Sequence, residues 1–262
     1  MFEYFFYVYI FLILYIFDYM SEIEYPNVSI CMPIYNRNKF KELILYNLLG
    51  FIYPDKTKLE IVIDDDGTEP FFINEEEKQV FRKLIQPIKL KYLYYNKRRT
   101  IGEKRNNLCK EASYKHIACM DSDDIYLPCY IQYSIELMKK NKYTCVGSNQ
   151  MIFCYPKDKY KLTAIQCSAK RQIHEASAVF TKRHWQSMNG FAKSSQGEGA
   201  KMVDFNDKKV GLSKIQYCMV CICHDDNTIN KDGFKDKDKC SGVLDPVLIK
   251  IIDKIFNLQI NQ

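Results

Sequence analysis

Three short apolar stretches in the first half of the chain each run directly into a polar cluster, with room for a helix between one stretch and the next. Residues 28–33 lead into Tyr35-Asn36-Arg37, residues 59–63 into Asp64-Asp65-Asp66-Gly67, and residues 116–120 into Asp121-Ser122-Asp123-Asp124. Apolar runs of this length, bounded by turn residues, read as buried strands. The intervening residues 39–51 carry Phe40, Leu43, Ile44, Leu48 and Phe51 at helical spacing. Residues 74–85 and 102–113 read as further helices, and residues 88–95 as a strand. Strands and helices alternating at this spacing form right-handed βαβ units, so the expected fold is α/β with a mainly parallel sheet flanked by helices. Open sheets of that kind bind ligands beyond the carboxyl ends of their strands. All three polar clusters fall there, and Pro33 begins the first of them.

The second half is less regular and predicts a smaller, mixed layer. A helix is expected over residues 130–140, strands over 144–155, 176–181 and 217–223, and an amphipathic helix over 246–258. The charged stretch 230–239 reads as a solvated loop. The resulting organisation is an apolar segment over residues 1–19, one domain over 20–229, and the loop with its terminal helix over 230–262. The apolar run 4–17 is shorter than the roughly 20 residues of a spanning helix. It is consistent with membrane contact through an anchor or interfacial segment, or with a start codon placed upstream of Met20.

Carboxylates as dense as Asp121, Asp123 and Asp124 repel one another unless something neutralises them. A hard cation such as Mn²⁺ or Mg²⁺ does so, sharing carboxylates with substrate phosphates. The competing explanation is a helix N-terminus, where aspartate is favoured as a cap. The second acidic cluster at Asp65 and Asp66, expected beside the first, favours the metal. His224 ends an apolar strand and is a further candidate ligand. Cys218, Cys221 and Cys223 precede it, but alternation along a strand sends Cys218 and His224 to the face opposite Cys221 and Cys223, which argues against a zinc site.

Arg98, Arg99, Lys104 and Arg105 flank the start of a helix, where cations and free N–H groups suit a diphosphate. Of these, Lys104 and Arg105 remain candidates for a diphosphate, while Arg98 and Arg99 read as a solvated surface. A net charge of +6 is too small and dispersed to imply nucleic acid. Eleven cysteines, most of them single and inside apolar runs, read as reduced thiols and hence a reducing, cytoplasmic compartment.

Several motifs in order resemble the family 2 inverting glycosyltransferases, whose Rossmann-like fold is called GT-A. The segment Val28 to Arg37 resembles their opening strand ending in P-x-Y-N-R, and Asp65-Asp66-Gly67-Thr68 resembles their V-D-D-G-S segment. Gly102-Glu103-Lys104-Arg105-Asn106 is similar to their G-x-x-x-A-R-N stretch, and Asp121-Ser122-Asp123-Asp124 to their D-x-D-D metal motif. Asn189-Gly190-Phe191 resembles the G-G-F that closes their acceptor-side segment. The resemblance implies a metal-dependent transfer of sugar from a nucleotide-diphosphate donor, UDP favoured, to a glycan, protein or lipid acceptor. Pro33, Tyr35, Asn36, Arg37, Asp65, Arg105 and Asp121 would then line the nucleotide site, with Asp65 reading the base. Asp121, Asp123 and His224 would hold the metal, and Glu198 would be the catalytic base. The family's pair of acids reads E-D; here Gly199 follows Glu198, which leaves a non-catalytic binding relic open. A nucleotidyltransferase is the other alternative, although no Gly-rich loop follows the first strand.

Overall fold

The computed structural model describes residues 24–166, 173–202 and 208–258. The apolar run 4–17 lies outside them. Strands β1 (Val28–Ile34), β2 (Leu59–Asp65), β3 (Lys89–Tyr94) and β4 (His116–Cys119) run parallel in the order β3-β2-β1-β4. Val28 stands opposite both Leu59 and His116, and Ile34 opposite Asp65, so the polar clusters finish level with one another. Every residue of β2 is buried and β1 is nearly so, as expected of strands covered on both faces. β3 is the sheet edge and is half exposed, which is why Lys89 and Lys91 are tolerated there.

Beyond β4 the sheet turns mixed, the change expected for the second half. β6 (Cys145–Gly147) and β10 (Val210–Leu212) are parallel to each other, and β9 (Val179–Thr181) lies antiparallel between β4 and β6. A second sheet of the described residues has the order β12-β8-β7-β11-β5, with β5 (Ile125–Tyr126), β7 (Gln150–Tyr155), β8 (Lys161–Gln166), β11 (Met219–Ile222) and β12 (Asp238–Lys239). The single strand expected over residues 144–155 is therefore two strands. They separate at Ser148, whose hydroxyl accepts from the Gln150 N–H and whose carbonyl accepts from His174.

The helices flanking the sheet are α1 (Lys41–Gly50), α2 (Glu75–Leu84), α3 (Ile101–Glu111), α4 (Tyr130–Asn141), α5 (Lys182–Ser187) and α6 (Pro246–Phe256). α2 begins where Asn74 caps the Glu77 N–H, with Glu75, Glu76 and Glu77 in its first turn and Arg82 and Lys83 in its last, each sign at the favoured end. α3 begins with a reciprocal cap between Thr100 and Glu103. That cap fixes the helix start at the crevice, one residue before Gly102. Terminal α6 buries Leu248 and Ile252 in the main core and brings Phe256 to 6.0 Å from Phe40, ring to ring.

The stretch 230–239 is not simply a solvated loop. Phe234 lies flat on Phe153, with ring centroids 4.9 Å apart, and Asp238–Lys239 adds an edge strand to β8. One aromatic in an otherwise charged segment is enough to pin it, because stacking buries the ring while the lysines and aspartates around it stay in water.

Candidate active site

The aspartate cluster follows β4 and is held by a hydroxyl. Tyr126 Oη accepts from the Asp121 N–H at 2.8 Å and donates to the Ala176 carbonyl at 2.9 Å, tying the cluster to the segment before β9. Asp124 is buried and faces away from the crevice. Its Oδ1 accepts from the Ile222 N–H at 3.0 Å, while its carbonyl accepts from Asn47 at 2.9 Å. It fastens the motif to β11 and α1. Burial, reinforced by Asp123 and Asp121, pushes the Asp124 carboxyl well above the usual range.

Asp123 faces Arg37 and His224. Arg37 Nε donates to its Oδ2 at 3.1 Å, and His224 Nε2 lies 3.2 Å from the same oxygen. Burial alone would raise this carboxyl, but His224 and Arg37 hold it below the usual range. The His224 ring is fixed from behind by the Asp226 N–H at Nδ1, 3.2 Å away, and lies against Phe40 and Phe256. The expected trio Asp121, Asp123 and His224 is thus only partly together. Asp123 and His224 meet, whereas Asp121 accepts from Arg105 NH2 at 3.0 Å. Among the described residues no three acidic, histidine or cysteine side chains converge in this arrangement. The donor chemistry nevertheless suits Mn²⁺ or Mg²⁺, since carboxylate oxygens predominate and the one nitrogen donor is an imidazole.

Arg105 differs most from its expected role. It is 5% exposed and lies across two acids, its NH2 on Asp121 and its Nε on Glu198 Oε1 at 3.1 Å. The diphosphate role expected for it is replaced, in this arrangement, by a carboxylate–guanidinium–carboxylate bridge. The reason is that α3 meets the 192–198 loop backbone to backbone: the Gly102 N–H donates to the Ser194 carbonyl at 2.9 Å. A Cβ at position 102 would lie 1.8 Å from the Ala192 carbonyl oxygen, so only glycine permits this approach.

On the nucleotide side, the ends of β1 and β2 are stitched together. Asn36, at φ 52°, accepts from the Thr68 N–H through its side-chain oxygen at 2.8 Å. Tyr35 is half-buried, with the Arg98 guanidinium 4.1 Å above its ring, and Pro33 stands opposite Asp64. Asp65 is completely buried, and its oxygens take donors from its own loop and from β3: the N–H groups of Gly67 and Phe71 at 2.9 and 2.7 Å, and Tyr92 Oη at 2.7 Å. Its geometry is that of a loop organiser rather than a side chain turned to a ligand. Asp66 accepts from Lys104 Nζ at 2.7 Å and from the Arg99 N–H at 2.6 Å. Arg99, expected in solvent, is ion-paired with buried Asp64 and stacks 3.8 Å above Tyr95.

The sequence profile of the family described as Glycosyl transferase family 2 matches residues 29–197. The chain belongs to glycosyl transferase family 2. Two solved structures with the same fold are residues 1–349 of TarS from S. aureus and the mannosyltransferase PcManGT from Pyrobaculum calidifontis, the latter in complex with GDP-Man and Mn²⁺. The first superposes with a TM-score of 0.56 at 15% identity, covering 75% of this chain and 60% of TarS 1–349. The second gives 0.55 at 17% identity, covering 80% of this chain and 59% of PcManGT. A further structure, TarS 1–349 in complex with UDP-GlcNAc, gives 0.57 at 14% identity, covering 87% and 65% of the two chains. The chain thus spans about three-fifths of the first two of these relatives. No curated protein sequence matches it.

Within this family 2 fold, two side chains at the site have partners that the sequence does not show. Lys104, buried on α3, bonds the Ile34 carbonyl at 2.9 Å as well as Asp66, and so joins the ends of β1 and β2 to the helix start. Glu175 accepts from the Gly199 N–H at 3.2 Å and stands beside the Glu198 segment. Lys104 is visible in the sequence as one cation of the helix-start cluster, whereas Glu175 belongs to no polar run. Their partners lie tens of residues away, and only the crossover topology brings them in. Asp204, another acid near this segment in sequence, lies outside the described residues.

Proposed function

We propose that this family 2 protein transfers a sugar, with inversion, from a nucleotide-diphosphate donor to an acceptor hydroxyl, with UDP as the favoured nucleotide. The observation that carries the reading is the charged site at the end of β4. Arg37 and His224 meet Asp123, and two residues earlier Asp121 meets Arg105, which also holds Glu198. Fixed charges of both signs in a crevice suit a ligand that is anionic at one end and hydroxylated at the other.

The nucleotide would lie along Pro33, Tyr35, Asn36 and Arg37, against the β2 loop shaped by Asp65. Arg37 would follow the diphosphate, since its guanidinium already balances Asp123. Asp123 and His224, with Asp121, would hold Mn²⁺ or Mg²⁺, which supplies Lewis-acid stabilisation of the leaving diphosphate. The acceptor proton passes to a carboxylate beyond Arg105, where Glu198 stands beside Glu175; a positioned base contributes about 10²–10⁴-fold. One observation favours the alternative of a non-catalytic relic: Glu198 is held by Arg105 rather than free.

Thermal unfolding tests the donor site. UDP with Mn²⁺ should raise the melting temperature, through linkage to the native state, and UDP in excess chelator should not. Asp123→Ala should remove the increment while leaving the ligand-free melt cooperative. Equal stabilisation by UDP with and without metal would contradict the metal bridge.

A further inference from the structure

Glu198 is poorly placed to take a proton. It is 8% exposed, and its Oε1 is bound to Arg105 Nε. Protonation there would give up a charge-assisted hydrogen bond inside the fold. Its backbone carbonyl also accepts from the Ala192 N–H at 2.8 Å, so the residue is fixed from both ends.

Glu175 is held more loosely: its Oε1 takes a neutral donor, the Gly199 N–H at 3.2 Å, and its own carbonyl accepts from the Ala178 N–H at 3.1 Å. It opens the 3₁₀ turn Glu175–Ser177 and is half-buried rather than sealed. The carbonyl of the next residue, Ala176, is bonded to Tyr126 Oη, which also receives the Asp121 N–H. One hydroxyl therefore ties the backbone beside Glu175 to the start of the aspartate motif. A Cβ built on Gly199 would lie 2.2 Å from Glu175 Cγ and 3.0 Å from its Oε1. Gly199 is not among the glycines with positive φ, so its backbone is one that any L residue adopts. What keeps position 199 side-chain-free is the glutamate itself. The place where a second acid following Glu198 would project is filled by a carboxylate from another part of the chain.

We propose that Glu175 is the base that activates the acceptor, and that Glu198 and Arg105 position it; this rests on the glycosyltransferase reading above. The acceptor hydroxyl gives its proton to the Glu175 carboxylate as its oxygen bonds the anomeric carbon. The bond from that carbon to the diphosphate oxygen breaks, and the electron pair leaves with the nucleoside diphosphate. The Glu175 carboxyl then returns its proton to water. Burial, then the charge of Glu198, raises the Glu175 carboxyl above the ordinary range, in the direction that strengthens a base. Two neighbouring acids in such different surroundings divide the work: Glu198 keeps its bond to Arg105 and Glu175 takes the acceptor proton.

The test uses the full chain with Mn²⁺ and, as probes, UDP-glucose, UDP-galactose and UDP-N-acetylglucosamine, with water as the acceptor. UDP release is measured alongside calorimetric UDP affinity. Glu175→Gln keeps an oxygen for the Gly199 N–H and should bind UDP within a few-fold of wild type, yet lose turnover by about 100-fold or more. Glu198→Gln should lose no more than about tenfold. Moving the acid provides the second arm: Glu175→Ala with Gly199→Asp should recover at least about tenfold over Glu175→Ala alone. Wild-type turnover in Glu175→Gln, or a roughly 100-fold loss confined to Glu198→Gln, overturns the assignment. No UDP release by the wild-type chain from any of the three donors overturns the transferase reading and the assignment with it. The wild-type result thus tells the two failures apart.

Discussion

Replacing Arg105 with methionine leaves two carboxylates facing each other with no cation between them. Arg105 is 5% exposed, its two acids are Asp121 and Glu198, and their side chains are 28% and 8% exposed. Removing one partner of a buried ion pair costs about 3–5 kcal/mol, because the charge left behind stays desolvated. Asp121 is open enough for water to recover part of this, so the expected loss is near the lower end, about 3 kcal/mol. At about 2 kcal/mol per molar urea, the metal-free unfolding midpoint should fall by about 1.5 M. Arg105→Lys should fall between wild type and methionine, since one ammonium cannot span both acids as the guanidinium fork does. The penalty should shrink in acid, where protonation removes the stranded charges. A loss below about 1 kcal/mol at neutral pH, with no dependence on acid, would show that Arg105 does not neutralise these carboxylates.

Two further outcomes follow from the carboxylates of the aspartate motif. Asp124→Asn keeps the acceptor for the Ile222 N–H and removes a charge that burial opposes, so urea unfolding above neutral pH should show equal or greater stability than wild type, while Asp124→Ala should lose about 1–3 kcal/mol. The sign is set by a carboxyl whose folded affinity for the proton is raised: its contribution is present in acid and lost as pH rises, and the amide escapes that loss. Burial first, then Asp123 and Glu198, also raise the Asp121 carboxyl against the pull of Arg105, so protons compete with a metal bound there and its affinity should climb with pH through the range in which that carboxyl titrates. A calorimetric Mn²⁺ affinity that stays flat across that range would place Asp121 outside the metal site.

The parallel half of the fold is legible because its signals are local. β1, β2 and β4 are apolar runs that end in acids or Tyr35-Asn36-Arg37, and Asn74 and Thr100 mark helix starts by their own side chains. β5, β8 and β10 are not legible, being short or polar and formed only because a neighbouring edge is free to pair. The site divides in the same way. The aspartate motif and His224 announce themselves, and the structure brings Asp123 and His224 together. Which way each acid points is decided by distant partners: Asp65 by Tyr92, Asp124 by Ile222, and Glu198 by Arg105. Glu175 is invisible for that reason, and Lys104 is visible only as one cation of the helix-start cluster. Eight of the ten described cysteines are buried, filling space as small apolar groups.

The most direct measurement is nucleotide release from a donor panel by the purified full chain. UDP-glucose, UDP-galactose, UDP-N-acetylglucosamine and GDP-mannose would each be incubated with Mn²⁺ and the freed diphosphate quantified over time. The account predicts release of UDP from at least one sugar, abolished by chelator and by Asp123→Ala. Donor binding without release of nucleotide from any of the four would contradict it, and would make the crevice a binding site rather than a catalytic one.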